Sequence, residues 1–196
     1  MSALLVVTPD GPDADALCAS LKDRGFTVYS ARNGAEAVGV AIRHQPDVVL
    51  MDAVMPGLDG FETCRRLKSM ATLTHVPVIF MTGLTETEHI VHALESGGVD
   101  YLSKPINVDE LRARIRVHLA NARRAQSARI ALDAAGRHLV AFGGNGLVLW
   151  STPQSTRLLE QSGVDVRGSG EMSDRFLAWL QQRGADLAPG SGFELR

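Results

Sequence analysis

Val48-Val49-Leu50-Met51-Asp52-Ala53-Val54-Met55-Pro56-Gly57-Leu58-Asp59-Gly60 sets four apolar residues before an aspartate and follows it with a Pro/Gly loop. A short run that is apolar at every position reads as a strand buried on both faces, the mark of a parallel sheet covered by helices. Open α/β sheets place their ligands at the carboxyl ends of such strands. Asp52 is therefore the candidate reactive group.

The same rhythm extends on both sides of this stretch. Leu4-Leu5-Val6-Val7, Phe26-Thr27-Val28-Tyr29, Val76-Pro77-Val78-Ile79-Phe80-Met81 and Val99-Asp100-Tyr101-Leu102 read as strands. Each is followed by apolar residues at helical spacing, such as Ala37, Val38, Ala41 and Ile42 after Asn33-Gly34. Five βα units with right-handed crossovers predict a doubly wound α/β domain. The last helix is expected to start at an Asn107 cap with Glu110 three residues on, and to continue to about Ala135, where Gly136 ends it. Beyond it, His138 to Phe142 and Leu147 to Trp150 flank Gly143-Gly144-Asn145-Gly146 and predict a β-hairpin. Helical patterns at about Thr152 to Gln161 and Ser173 to Gln182 follow, and Gly184 to Gly192 reads as a flexible tail.

Composition narrows the function. The chain has 196 residues, 45% hydrophobic and 21% charged, which suits a soluble globular protein with a core. A formal net charge of -2 argues against broad binding to a nucleic-acid backbone. The early apolar run Ala3 to Val7 lacks the length and positive flank of a secretory signal, and no stretch is long enough to span a bilayer, so a cytoplasmic location is expected. Cys18 and Cys64 fall in amphipathic helical patterns and read as buried thiols. His89 and His92 sit three apart with no third ligand spaced to join them, and read as surface or partner-facing. The series Arg112, Arg114, Arg116, Arg123, Arg124 and Arg129 reads as a solvated or dimer-facing helix.

The strand ends gather Thr8, Pro9 and Asp10, then Asp52, Thr82 and Lys104. An aspartate attacking a phosphoryl group needs a hydroxyl or amide donor and a positioned cation around the developing charge. Thr82 supplies the hydroxyl and Lys104 the ammonium, with Pro105 fixing the backbone after it.

These residues resemble the response-regulator receiver domains of two-component signalling. The likeness covers residues 1 to about 122 and rests on Met51 to Gly60, Pro77-Val78-Ile79-Phe80-Met81-Thr82-Gly83 and Asp100-Tyr101-Leu102-Ser103-Lys104-Pro105. It implies a flavodoxin-like five-stranded parallel sheet of order 2-1-3-4-5. It implies that Asp52 accepts a phosphoryl group from a sensor histidine kinase or phosphotransfer protein. Thr82 and Lys104 would be its partners, and Thr82 with the rotating Tyr101 its switch. It also implies Mg2+, held by Asp52 and the backbone carbonyl of Val54.

The chain departs from the family at one place. Two adjacent acids usually follow the first strand, and Thr8-Pro9 stands here instead. Magnesium wants about six oxygens with carboxylate help, which proline and threonine do not give. Asp10 is the remaining candidate metal ligand, although it also suits a cap for the helix after Pro12.

The expected organisation is a receiver over 1–122, a helical linker over 123–136 and a small α+β segment over 137–196. Gly146-Leu147-Val148-Leu149-Trp150-Ser151-Thr152-Pro153 is similar to the opening of a PAS-like sensor domain. The leading reading is a phosphorylated receiver that switches dimerisation, as a homodimer, or a transcriptional output module absent from this chain. Nucleic acid would be reached only through that output, and no membrane partner is expected. A pseudo-receiver acting without phosphorylation is the alternative. A phosphatase of the haloacid-dehalogenase type is the third reading, but Val54 stands where its second aspartate would be. The chain is therefore expected not to be an enzyme beyond chemistry on Asp52 itself.

Overall fold

The computed structural model describes residues 2–9, 11–55, 57–70, 72–83, 87–142 and 148–161. Asp10, Pro56, the Gly143 to Gly146 turn, the Ser173 to Gln182 helix and the Gly184 to Gly192 tail lie outside the described residues. The chain divides into two compact units, the first formed by 1–68 with 72–123 and the second by 69–71 with 124–196.

In the first unit, β1 (Ala3–Val7), β2 (Thr27–Ala31), β3 (Val48–Asp52), β4 (Val78–Thr82) and β5 (Asp100–Ser103) alternate with α1 (Pro12–Asp23), α2 (Gly34–His44), α3 (Gly60–Lys68), α4 (Thr87–Glu95) and α5 (Val108–Ala134). The strands are parallel in the order β2-β1-β3-β4-β5, as the apolar runs and the family resemblance imply. β3 and β4 are buried at every residue, which accounts for their unbroken hydrophobicity.

Alternation along the strands splits the core in two. Leu4, Val6, Val48, Leu50, Ile79, Met81 and Leu102 pack with Leu17 and Leu21 of α1 and with Leu111, Ile115 and Leu119 of α5. The spacing of Leu111, Ile115 and Leu119 makes one stripe of a helix, so the first part of α5 is core material. Asn107 opens α5 as expected, its Oδ1 accepting from the N–H groups of Asp109 (3.0 Å) and Glu110 (3.1 Å).

Several boundaries differ from the sequence expectation. The strand expected from Phe26 begins at Thr27, because the Phe26 N–H bonds the Leu21 carbonyl (3.2 Å) after Gly25 turns the chain at φ 86. The strand expected from Val76 begins at Val78, where Pro77 has no N–H to offer a neighbour. The N-cap of α1 is Gly11; the capping role considered for Asp10 lies outside the described residues.

In the second unit, β6 (Val140–Phe142) and β7 (Val148–Ser151) pair antiparallel, and α6 (Pro153–Gln161) follows. The α5 helix ends one residue short of Ala135, and Gly136 takes φ 73. Among the described residues no helix is long and apolar enough to cross a membrane.

Candidate functional site

The sheet register explains why the site assembles. Val7 lies opposite Met51, so the residue after β1, Thr8, comes alongside Asp52; Asp52 itself lies opposite Met81. Met81 lies opposite Leu102, which sends Lys104, two residues on, to the same face of the sheet. Asp52, Thr8 and Lys104 thus share the face covered by α1 and α5. Thr82 and Tyr101 belong to the opposite face, because Tyr101 pairs with Phe80, two residues before Thr82.

Asp52 is only 4% exposed, and a buried carboxylate must find partners. Its Oδ2 accepts the Lys104 ammonium in a short ion pair and the Thr8 hydroxyl at 3.1 Å. Its Oδ1 accepts the Val54 N–H at 3.2 Å. The backbone is tied as firmly: Ala53 N–H bonds the Met81 carbonyl (3.0 Å), and Lys104 N–H bonds the Thr82 carbonyl (2.8 Å). The Lys104–Pro105 peptide is cis. Gly60, which opens α3, has no room for a side chain, since a Cβ there would overlap the Asp52 carbonyl. A cavity of about 300 Å³ opens beside the cluster, lined by Thr8, Asp13, Leu17, Met81, Lys104 and Ile106.

Thr82 ends β4 and is buried; Tyr101 on β5 is half-buried. On the α5 side of the sheet lies a polar cluster that sequence reading missed. Asp100 accepts Arg114 Nη1 on both oxygens (2.8 and 2.9 Å) and meets His118 Nε2 at 2.9 Å. Burial alone would raise the Asp100 carboxyl, but the hydrogen bonds from His118, Arg114 and the Tyr101 N–H hold it below the usual range. Arg114 also bonds Glu110 at 2.8 Å. The helix spacing of Glu110, Arg114 and His118 was the available signal, and only the fold supplies Asp100. Arg114 is thus part of an ion cluster rather than a purely solvated cation.

His92 is exposed, in line with the expectation of a surface role. Its ring lies tilted against Phe61 at 4.4 Å between ring centroids and meets Arg65 Nη1 at 3.3 Å. His89 has its side chain outside the description. Cys64 is buried and Cys18 partly so, and burial pushes both thiols up. Lys68 was not singled out from the sequence. Its ammonium donates to the Thr74 carbonyl at 3.1 Å and also to that of Val76, and burial lowers its pKa.

Receiver domains generally bind Mg2+ at an acidic pocket. Here, among the described residues, no group of three His, Cys, Asp or Glu side chains is placed to hold a metal. Asp52 has its Oδ2 committed to Thr8 and Lys104, and the contact Val54 makes with it is through its N–H. The described residues do not fit a divalent-cation cage.

Residues 5–116 match the family described as the response regulator receiver domain, and the chain belongs to that family. It is 34% identical over 178 residues to the response regulator PleD of Caulobacter vibrioides, a match spanning 85% of this chain and 39% of that protein. It is 34% identical over 161 residues to the transcriptional regulatory protein AfsQ1 of Streptomyces coelicolor, covering 81% of this chain and 70% of that one. With the DNA-binding regulator RpaA of Synechocystis it shares 32% over 119 residues, 61% of this chain and 49% of RpaA. The chain thus spans about two fifths to half of PleD and RpaA. Among solved structures, the receiver domain of a histidine kinase from Syntrophus aciditrophicus superposes with a TM-score of 0.57 at 31% identity, over 62% of this chain and 92% of that one. The chain is therefore a two-component signalling protein by family.

Proposed function

We propose that residues 1–122 are a receiver that accepts a phosphoryl group on Asp52 from the phosphohistidine of a sensor kinase or phosphotransfer protein. The single observation that supports this most is the pairing of buried Asp52 with Lys104 at the carboxyl edge of the sheet. In the step, a carboxylate oxygen of Asp52 bonds to phosphorus as the P–N bond of the donor breaks. The imidazole leaves with the electron pair, and an acyl phosphate remains on Asp52. Lys104 neutralises developing charge, and the hydroxyl of Thr82 donates to a phosphoryl oxygen. The added group brings roughly -1.5 to -2 of charge, and drawing Thr82 toward it vacates space that Tyr101 turns into. Residues 123–136 then form a linker to a small PAS-like segment over 137–196. The switch controls homodimerisation or an output module, for which the regulators AfsQ1 and RpaA suggest transcription.

Incubation with acetyl phosphate or a phosphorylated phosphotransfer protein, read by intact mass, tests this. The expected result is one phosphoryl group on the chain and none on Asp52→Asn. Absence of transfer from every donor sinks the proposal. One observation favours the pseudo-receiver as second reading: the Thr8 hydroxyl on Asp52 where family members keep an acid pair. That reading predicts that Asp52→Asn leaves oligomeric state and partner binding unchanged.

A further inference from the structure

A carboxylate offers about four lone-pair directions to donors or cations. At Asp52 three donors are already in place: the Thr8 hydroxyl and the Lys104 ammonium on Oδ2, and the Val54 N–H on Oδ1. Magnesium demands near-octahedral oxygen coordination at about 2.0–2.1 Å and gives up its waters reluctantly. A cation on Oδ2 has to expel the Thr8 hydroxyl and sit against the Lys104 ammonium. A cation on Oδ1 meets no group of three His, Cys, Asp or Glu side chains among the described residues to hold it.

Thr8 is no accident of a loose loop. It follows the fully buried Leu4 to Val7, and its N–H bonds the Ala31 carbonyl at 3.1 Å, which fixes it one strand from Asp52. Its hydroxyl gives Asp52 a neutral donor where an acid would add a second negative charge. An acid there would create the like-charge repulsion that a divalent cation relieves. With threonine at this position, neither that repulsion nor a carboxylate ligand arises from it.

We propose that Thr8 makes this receiver independent of divalent cations: its hydroxyl, with the Lys104 ammonium, compensates Asp52 in the cation's place. This deepens the proposed function by assigning the charge state of the same site. It rests on Asp52 being the centre of that site but not on Asp52 being phosphorylated.

The test is cation binding by the full chain without any phosphodonor, so its result stands apart from phosphorylation. Mg2+ is titrated by calorimetry, and Mn2+ by electron paramagnetic resonance and by broadening of the Asp52 and Val54 amide signals. The unaltered chain is expected to show no saturable site below about 1 mM, an affinity at the weak end of specific binding. Thr8→Asp is expected to bind at least about tenfold more tightly, and the gain disappears in Thr8→Asp combined with Asp52→Asn. Pro9→Asp keeps the Thr8 hydroxyl and is expected to bind no more tightly than the unaltered chain; it serves as the independent variant should Thr8→Asp fail to fold. Saturable Mg2+ binding below about 1 mM by the unaltered chain, lost in Asp52→Asn, overturns the proposal. So does a tenfold gain in Pro9→Asp, which would show that Thr8 does not decide the matter.

Discussion

At the scale of single residues, Asp52 sets the energetics of the edge. Taking a carboxylate to 4% exposure is costly unless cations and donors meet it. Lys104 keeps 41% of its side chain exposed, so water screens part of the attraction and the pair contributes less than a fully buried one. Lys104→Met is expected to destabilise the receiver by about 1–2 kcal/mol, below the ~3–5 kcal/mol of a fully buried pair broken on one side. In the Asp52→Asn background the same change should cost clearly less, because no charge is then left behind. A double-mutant cycle in urea measures the coupling, and additivity within about 0.5 kcal/mol would show that the two groups do not interact in solution. Asp100 offers a pH test. Its folded pKa lies below the ordinary carboxyl value near 3.8, so its stabilising effect is full above that value and is lost as pH falls through the lowered one. Asp100→Asn should therefore destabilise the protein by about 1 kcal/mol at neutral pH. That difference should shrink in acid unfolding curves below about pH 4.

At the scale of elements, one carboxylate ties three segments of the second unit's described residues. Asp133, near the end of α5, accepts the Gln154 N–H on both oxygens (3.0 and 3.2 Å) and meets His138 Nδ1 at 3.3 Å. It caps the first turn of α6 from another element, a duty that a serine or aspartate just before the helix ordinarily performs. Arg129 lies over the Trp150 ring at 5.2 Å, and Thr152 bridges to the Leu139 backbone. A two-stranded hairpin is marginal by itself, so these ties are what its order depends on. Asp133→Ala is expected to speed hydrogen exchange at Gln154 and Thr156 severalfold while leaving the amides of β3 and β4 unchanged. Equal exchange in the two proteins would show that the cap carries no weight. The distinction also marks what the sequence discloses. The five strands and the Asp52–Lys104 edge were legible because apolar runs, helix spacing and strand-end residues are local patterns, whereas the strand order came only through the family resemblance. The Asp133 cap, the Asp100 cluster and the Thr8 bond were not, since each joins residues far apart in sequence through a register that no local pattern prints. Strand starts slipped for a similar reason: Phe26 is as apolar as a strand residue but is used to close α1.

At the scale of the whole molecule, α5 belongs to two structures at once. Its Leu111, Ile115 and Leu119 complete the core made by β1, β3, β4, β5 and α1, whereas its residues beyond Arg123 fall in the second unit. The sheet has all five strands, and both faces are covered, before the helix leaves the first unit. Residues 1–123 should therefore fold alone, with a cooperative urea transition and a stability within the ~5–15 kcal/mol of ordinary domains. A chain ending at Asn107 loses three buried side chains from one helix face. Each large-to-small loss of that kind costs about 2–5 kcal/mol, so the shortened sheet should not fold at all. Circular dichroism with denaturant titration on the two fragments measures both outcomes. A non-cooperative 1–123 fragment would mean that the second unit completes the receiver core, while a folded 1–107 fragment would mean that the α5 stripe is dispensable. With both results as expected, the position of Arg123 becomes the physical boundary: before it α5 is held by the core, and after it the same helix carries residues that answer to Asp133 and Trp150.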